Sequence, residues 1–252
     1  MTGPRTLRTR PGAFLRALFI LLIAPSAVSA QTRHDLLIGR EIGFISTGIA
    51  FHGLGLLLAN RNADRQAPMI DIGRVPGIDR VATHQWSLTA HRHSNVLFGL
   101  AAAASIAGGI VDQHGDRPLL PAAIVAEAGL LASGLTNTVK ELVRRPRPYL
   151  FNADVPTTDH RPSEDYASFW SGHTANLAAI TFSTACMVQR SDASQHAKML
   201  TWAGAAAAPA AVAYLRVRAG RHFPTDVLTG YAVGALVGIA VPYFHRSQDR
   251  PR

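Results

Sequence analysis

The sequence predicts an all-α protein, a bundle of about six apolar helices with its active site at one end. Three observations carry this. Apolar residues make up 48% of the chain but aromatics only 7%, so the apolar fraction is rich in small residues that suit closely packed helices better than a sheet sandwich. Six such segments recur, at 42–58, 96–111, 119–135, 175–188, 199–215 and 227–244, each long enough for a helix and none alternating in β-branched residues. The breaks between them hold Pro, Gly, Asp and Asn, the residues that punctuate helices. A chain of 252 residues with no internal repeat and no second composition block reads as one domain.

Taken in order, residues 1–30 read as an export signal. Arg5, Arg8, Arg10 and Arg16 precede an apolar run from Ala17 to Ala24, and Val28-Ser29-Ala30 supplies a small-residue cleavage pattern. Cleavage leaves Gln31 first and 31–252 as the mature domain; the alternative is an uncleaved anchor, for which the run is short. These four arginines, with no acid among them, account for four of the nine formal positive charges. The modest excess that remains suits an anionic substrate or an anionic membrane surface. No basic stripe with interleaved aromatics argues for nucleic acid. A mean hydropathy of +0.11 lies between soluble and lipid-embedded proteins. The expected location is the cell envelope, in the inner membrane or the periplasm.

Residues 59–94 read as a surface excursion at the membrane face, and His84, His91 and His93 as parts of a polar loop. His91 and His93 are two apart and lack the Cys or acidic companions of a zinc set. Hence no metal ligand and no cofactor is expected. Glu127, inside the third segment, reads as a buried polar group paired with a neighbour. Cys186, the single cysteine, reads as core.

Three short stretches carry chemistry. In the first, Lys140 through Pro148, Pro146 should end the third helix at Arg145, leaving Lys140 in its last turn and Arg147 in an extended exit. Alone, these cations offset a helix dipole as readily as they bind anything. In the second, Ser171 is a plausible N-cap, so the Gly172 and His173 N–H groups lack intrahelical partners and suit an anion; an ordinary capped helix is the plain reading. In the third, Pro224 opens the last helix, His222 lies just before it and Asp226 in its first turn, where a carboxylate can orient an imidazole or simply complement the dipole. Parity joins the three: in an up-down bundle, the end of the third helix and the starts of the fourth and sixth share one end with the end of the fifth.

The ordered set Lys140, six residues, Arg147-Pro148, then Ser171-Gly172-His173, then Arg216, five residues, His222, three residues, Asp226 resembles the pattern of the type 2 phosphatidic acid phosphatase and vanadium haloperoxidase superfamily. The resemblance covers roughly residues 95–245. It implies a metal-independent phosphatase acting on phosphomonoesters, lipid phosphates above all, with Lys140, Arg147, Arg216, Ser171 and Gly172 holding phosphate. It further implies His222 as nucleophile, His173 as general acid and Asp226 as the orienter of His222. A vanadate-dependent haloperoxidase and a soluble periplasmic acid phosphatase are the alternatives. Trp170 and Leu215 stand where the family usually has Pro and Ser.

Overall fold

The computed structural model describes residues 37–63, 65, 67–111 and 119–246; the export signal expected at 1–30 lies outside them. Among the described residues seven α-helices form and no strand. They are α1 (Ile38–Ala63), the single turn α2 (Arg80–Thr83), α3 (Leu88–Val111), α4 (Leu120–Val143), α5 (Gly172–Gln189), α6 (Gln195–Arg218) and α7 (Pro224–Phe244). The six long helices are the six segments of the sequence, extended at their ends.

Local chemistry sets the boundaries. Pro121 opens α4, where its missing N–H costs nothing. α4 closes at Arg144, which turns into the left-handed region (φ 49°), and Pro146 bars any continuation. Ser194 caps α6 by accepting from the Ala197 N–H at 3.2 Å. Pro209 sits inside α6, where it cannot bond the Ala205 carbonyl one turn back. Thr181 of α5 donates to that carbonyl at 3.1 Å instead, so the proline costs no buried hydrogen bond.

α5 is the central helix and packs against α3, α4, α6 and α7. Its closest neighbour is α7, along a stripe of Gly230, Gly234 and Gly238. A Cβ at Gly230 would stand 2.7 Å from the Ser171 carbonyl oxygen, and one at Gly234 would run into the backbone of Ala175. Only hydrogen allows this approach, which brings the first turns of α5 and α7 together. One core cluster, built on Ile124, Val125, Ala128, Met187 and Val241, lies toward the end where Lys140 is not. Another, built on Leu97, Ala101, Leu177, Ala208 and Val212, joins α3, α5 and α6.

α1 runs parallel to α4, with Gly48 against Leu130 and Gly55 against Asn137, and carries an outward row of exposed isoleucines at 38, 42, 45 and 49. By length and composition α1, the stretch Leu120–Phe151 and α7 are apolar enough to cross a membrane. Long helices alternate in direction, so the excursion 64–87, the loop 144–170 and the turn 219–223 all gather at the end marked by Lys140.

Candidate active site

Helix alternation delivers the three stretches to one place. Arg147 leaves α4 in extended conformation (φ −76°, ψ 151°) and is buried. Its Nε donates to the Glu164 carbonyl at 2.7 Å and its Nη1 to the Arg221 carbonyl at 2.8 Å. With its stem fixed in this way, the same Nη1 lies 3.3 Å from His222 Nε2. Arg216, in the last turn of α6 and equally buried, donates to His91 Nδ1 at 2.9 Å, and its Nε has no partner. Lys140 Nζ lies 3.7 Å from where a Cβ on Gly172 would stand, and Thr136 Cγ2 lies 3.1 Å from it. A side chain at Gly172 would therefore press on Thr136 and sit in contact with the Lys140 ammonium.

Ser171 occupies the N-cap of α5 as expected, but its hydroxyl accepts from Thr174 Oγ1 at 3.0 Å instead of capping the turn. The first i→i−4 bond of this turn is Ala175 N–H to the Ser171 carbonyl. Gly172, His173 and Thr174 thus offer N–H groups without intrahelical acceptors, beside Lys140. His173 is partly buried, its ring against Phe98.

His222 is 1% exposed. The turn before it needs Gly220, whose φ of +68° and close approach to the Gln85 carbonyl exclude a side chain. His222 Nδ1 lies 2.8 Å from the Ser168 carbonyl. A carbonyl only accepts and a guanidinium only donates, so Nδ1 carries the proton and Nε2 presents its lone pair to the cationic cluster.

The sequence model of the PAP2 superfamily matches residues 121–250, more than half of the chain. The chain belongs to the PAP2 superfamily. No curated protein matches it. Among solved structures, one described as the first transmembrane PAP2-type phosphatidylglycerolphosphate phosphatase, from Bacillus subtilis, is similar with a TM-score of 0.50 and 21% identity, covering 82% of this chain and 99% of that one. At that identity the likeness concerns the fold: helices of a membrane protein in a similar arrangement.

Within this PAP2 site Asp226 departs from the expected contact. Its Oδ2 stands 3.8 Å from His222 Nδ1, beyond hydrogen-bonding distance, because its oxygens are already committed. Oδ2 accepts from Ser168 Oγ at 2.6 Å and from the Phe223 N–H at 2.9 Å, and Oδ1 pairs with Arg145 Nη1 at 2.5 Å. The imidazole is held by the Ser168 carbonyl, and Asp226 holds Ser168. Arg145 is itself braced by the fully buried Asp79, whose Oδ2 it meets at 2.7 Å, while Thr225 donates to both oxygens of Asp79. The excursion 59–94 is thus part of the site's support and no mere surface loop.

His91 also corrects the polar-loop reading. It lies on α3, which starts at Leu88, and touches Arg216. Arg221 lies outside the named positions of the motif pattern. It is 3% exposed, its guanidinium lies over the Tyr149 ring at 5.1 Å, and its Nε and Nη1 receive no hydrogen-bond acceptor. Glu164, half exposed, stands 3.6 Å from Arg221 and 3.8 Å from Arg147. Trp170 is pinned by its Nε1–H to Thr136 Oγ1 at 2.8 Å, beside the α5 N-terminus.

Burial first, and then the charges of Arg147, Arg216 and Lys140, push the His222 pKa well below the ordinary imidazole value. Burial, Arg216 and Lys140 likewise lower His173 to about 3, and burial, Arg216 and Arg221 lower His91 to about 4. All three are neutral at neutral pH while the cluster holds no anion. A potential metal-holding group of Glu41, Glu127 and His245 lies away from this site, near the start of α1 and the end of α7.

Proposed function

We propose that the protein is a phosphatase that hydrolyses phosphomonoesters, lipid phosphates above all, through a phosphohistidine at His222. The observation that carries this reading is the buried, neutral His222 with its Nε2 lone pair turned toward Arg147. In this mechanism Lys140, Arg147 and Arg216 neutralise the oxygens of the bound phosphoryl group, and the N–H groups at the start of α5 hold another side of it. His222 Nε2 attacks phosphorus and the ester P–O bond breaks. His173, protonated once the dianion is bound, gives its proton to the departing oxygen. Positive charge left on His222 is spread through Nδ1–H to the Ser168 carbonyl, whose residue is tied to the Asp226 carboxylate. Water then attacks phosphorus, His173 takes back a proton and the P–N bond breaks, returning neutral imidazole and inorganic phosphate. Charge neutralisation is assigned wholly to Lys and Arg, so turnover should survive chelation, and vanadate should inhibit because its trigonal bipyramid fits the same cluster.

Phosphatidate-like substrates fit a site placed at the end of helices apolar enough to enter a bilayer. The test is rapid quenching with a labelled ester, followed by detection of acid-labile phosphohistidine in wild type, His222→Ala and His173→Ala. The expected result is label on His222, no turnover of any ester in His222→Ala, and a much larger loss in His173→Ala on alkyl phosphates than on p-nitrophenyl phosphate, whose leaving group hardly needs a proton. Label trapped at His173, or normal labelling in His222→Ala, refutes the division of labour.

A further inference from the structure

We propose that Glu41, Glu127 and His245 form a binding site for a divalent transition-metal ion, Zn2+ by its donor chemistry, which clips α1 to the bundle at the end opposite the phosphate cluster. Each residue comes from a different part of the fold: the first turn of α1, the second turn of α4 and the residue just after α7. Thirteen residues of α4 separate Glu127 from Lys140, about 20 Å of helix, so the group is no part of the catalytic site.

The donor atoms converge. His245 Nε2 lies 2.8 Å from Glu41 Oε2 and 3.0 Å from Glu127 Oε2, and one ligand atom of each residue lies within 4.8 Å of the others. His245 is fully buried and Glu127 is 7% exposed. The other ring nitrogen, Nδ1, lies 2.7 Å from the Val241 carbonyl. That acceptor requires the proton on Nδ1, so in the neutral ring Nε2 turns its lone pair toward the two carboxylates, the arrangement that outer partners impose on metal-ligating histidines.

Two carboxylate oxygens and a ring nitrogen facing one another in a buried place call for positive charge between them, from a proton or a metal ion. A proton on Nε2 would hydrogen-bond Glu41 Oε2 at 2.8 Å, but Glu127 Oε2, 3.0 Å from the same nitrogen, makes no hydrogen bond of its own, and a buried carboxylate oxygen held only by that contact is poorly satisfied. An ion bonded to all three atoms satisfies it. The second oxygen of Glu41 is engaged elsewhere, by the Leu37 N–H at 3.0 Å and Arg40 Nε at 3.2 Å, so Oε2 remains for the ion. The carbonyl end of α7, adjacent to His245, also favours positive charge.

The donor set selects the metal. One imidazole with two carboxylates suits zinc, whereas magnesium and calcium call for six or more oxygens. Bonds of about 2.0–2.1 Å at tetrahedral angles place donors about 3.3 Å apart, a few tenths of an ångström wider than the pairs here, with a water in the fourth position. Such a clip would add to the hold of α4 on α1, whose fully buried residues are only Gly48 and Gly55.

The experiment uses the full chain in detergent, stripped with chelator, dialysed and titrated with Zn2+ by calorimetry, with thermal unfolding and ester hydrolysis followed in parallel. We expect about one equivalent of zinc per chain, a rise in Tm, and no rise with Mg2+ at the same concentration. Glu127→Gln and Glu41→Gln keep the shape and remove a ligand. Each should weaken zinc binding at least about 100-fold, since loss of an outer partner alone costs 10–100-fold, while hydrolysis per folded molecule stays at the wild-type level. X-ray absorption of the zinc-loaded wild type should show a shell of nitrogen and oxygen without sulfur. Stripped wild type that takes up no zinc, or zinc bound as tightly by both variants, overturns the site. Neither result touches the phosphatase reading, which stands or falls on His222.

Discussion

At the scale of the residue, the cluster gathers buried cationic donors around the neutral histidines. Arg216 Nε and two nitrogens of Arg221 are buried with no acceptor, and His173 is held neutral by burial and by Arg216 and Lys140. A bound phosphate dianion cancels the cationic part of that field, so the imidazole pKa rises on binding. The sign follows directly. Between about pH 3 and the ordinary imidazole value near 6.5, the free site leaves His173 unprotonated and the occupied site protonates it. Calorimetry of sulfate binding at pH 5, where this tetrahedral ion is already a dianion, in buffers of different ionisation enthalpy, should therefore show proton uptake that shrinks in His173→Ala; uptake unchanged by that substitution would contradict the assignment. Linkage gives a companion expectation. Groups whose folded pKa is depressed below 6.5 bind fewer protons than the unfolded chain does, so His173 and His222 withdraw stability as pH falls through 6.5. Sulfate, a dianion at both values, should raise Tm more at pH 5 than at pH 8. Arg221 is expected to act on the same anion, and Arg221→Gln should raise KM more than it lowers kcat if it serves mainly in binding.

At the scale of the element, the site depends on how closely two helices approach. The α5 and α7 first turns are joined by the Ser171 N–H donating to the Asp226 carbonyl at 3.1 Å, and this contact exists only because the glycine stripe lets the backbones meet. Gly234→Ala places a Cβ against the Ala175 backbone, which cannot swing aside as a side chain can. Forcing the helices apart should cost about 1–3 kcal/mol and should also lower kcat, since His173 and the support of His222 sit on the two partners. Urea unfolding and steady-state kinetics on the variant check both, and an unchanged denaturation midpoint would show that the helices have room to spare. This contact also marks what the sequence could convey. Six helices were legible from apolar runs, and the position of Lys140, Ser171 and His222 at one end from helix direction alone, because both depend on local periodicity and chain parity. The partner of the His222 imidazole was not legible. Asp226 has the right spacing, but a cap bond to Phe223 and the ion pair with Arg145 consume it, and that competition arises only when the loop 144–170 folds back. For the same reason Asp79 looked like part of a polar excursion, and His91 like a loop histidine, until α3 was seen to begin eight residues before the apolar run that announces it. Arg221, adjacent to His222, was the one missed cation with a visible signal, a further basic residue inside the third motif.

At the scale of the whole molecule, the distribution of apolar surface argues for a place in the bilayer. Ile38, Ile42, Ile45 and Ile49 recur at helical spacing on α1 and are all exposed, and Leu228, Leu236 and Ile239 do the same on α7. A face of that kind is unfavourable in water and neutral in lipid. α1 has 26 residues, about 39 Å of helix against a hydrocarbon core of about 30 Å, so it is long enough to cross with some tilt. The polar loops and the cationic cluster lie together at one end, so under the proposed lipid-phosphatase reading the site would sit at the level of lipid headgroups, where the phosphate of a lipid ester would be presented with its chains lying along the helices. A soluble phosphatase would have no use for this belt. The expected outcome is that the protein stays in the membrane pellet after carbonate extraction, is absent from the osmotic-shock fluid, and has Gln31 at or near its amino terminus when sequenced. It should also hydrolyse a long-chain phosphatidate in mixed micelles with a kcat/KM well above that for a soluble alkyl phosphate. Release of active protein by osmotic shock, with equal rates on the two esters, would overturn the membrane placement and leave the histidine chemistry standing on its own.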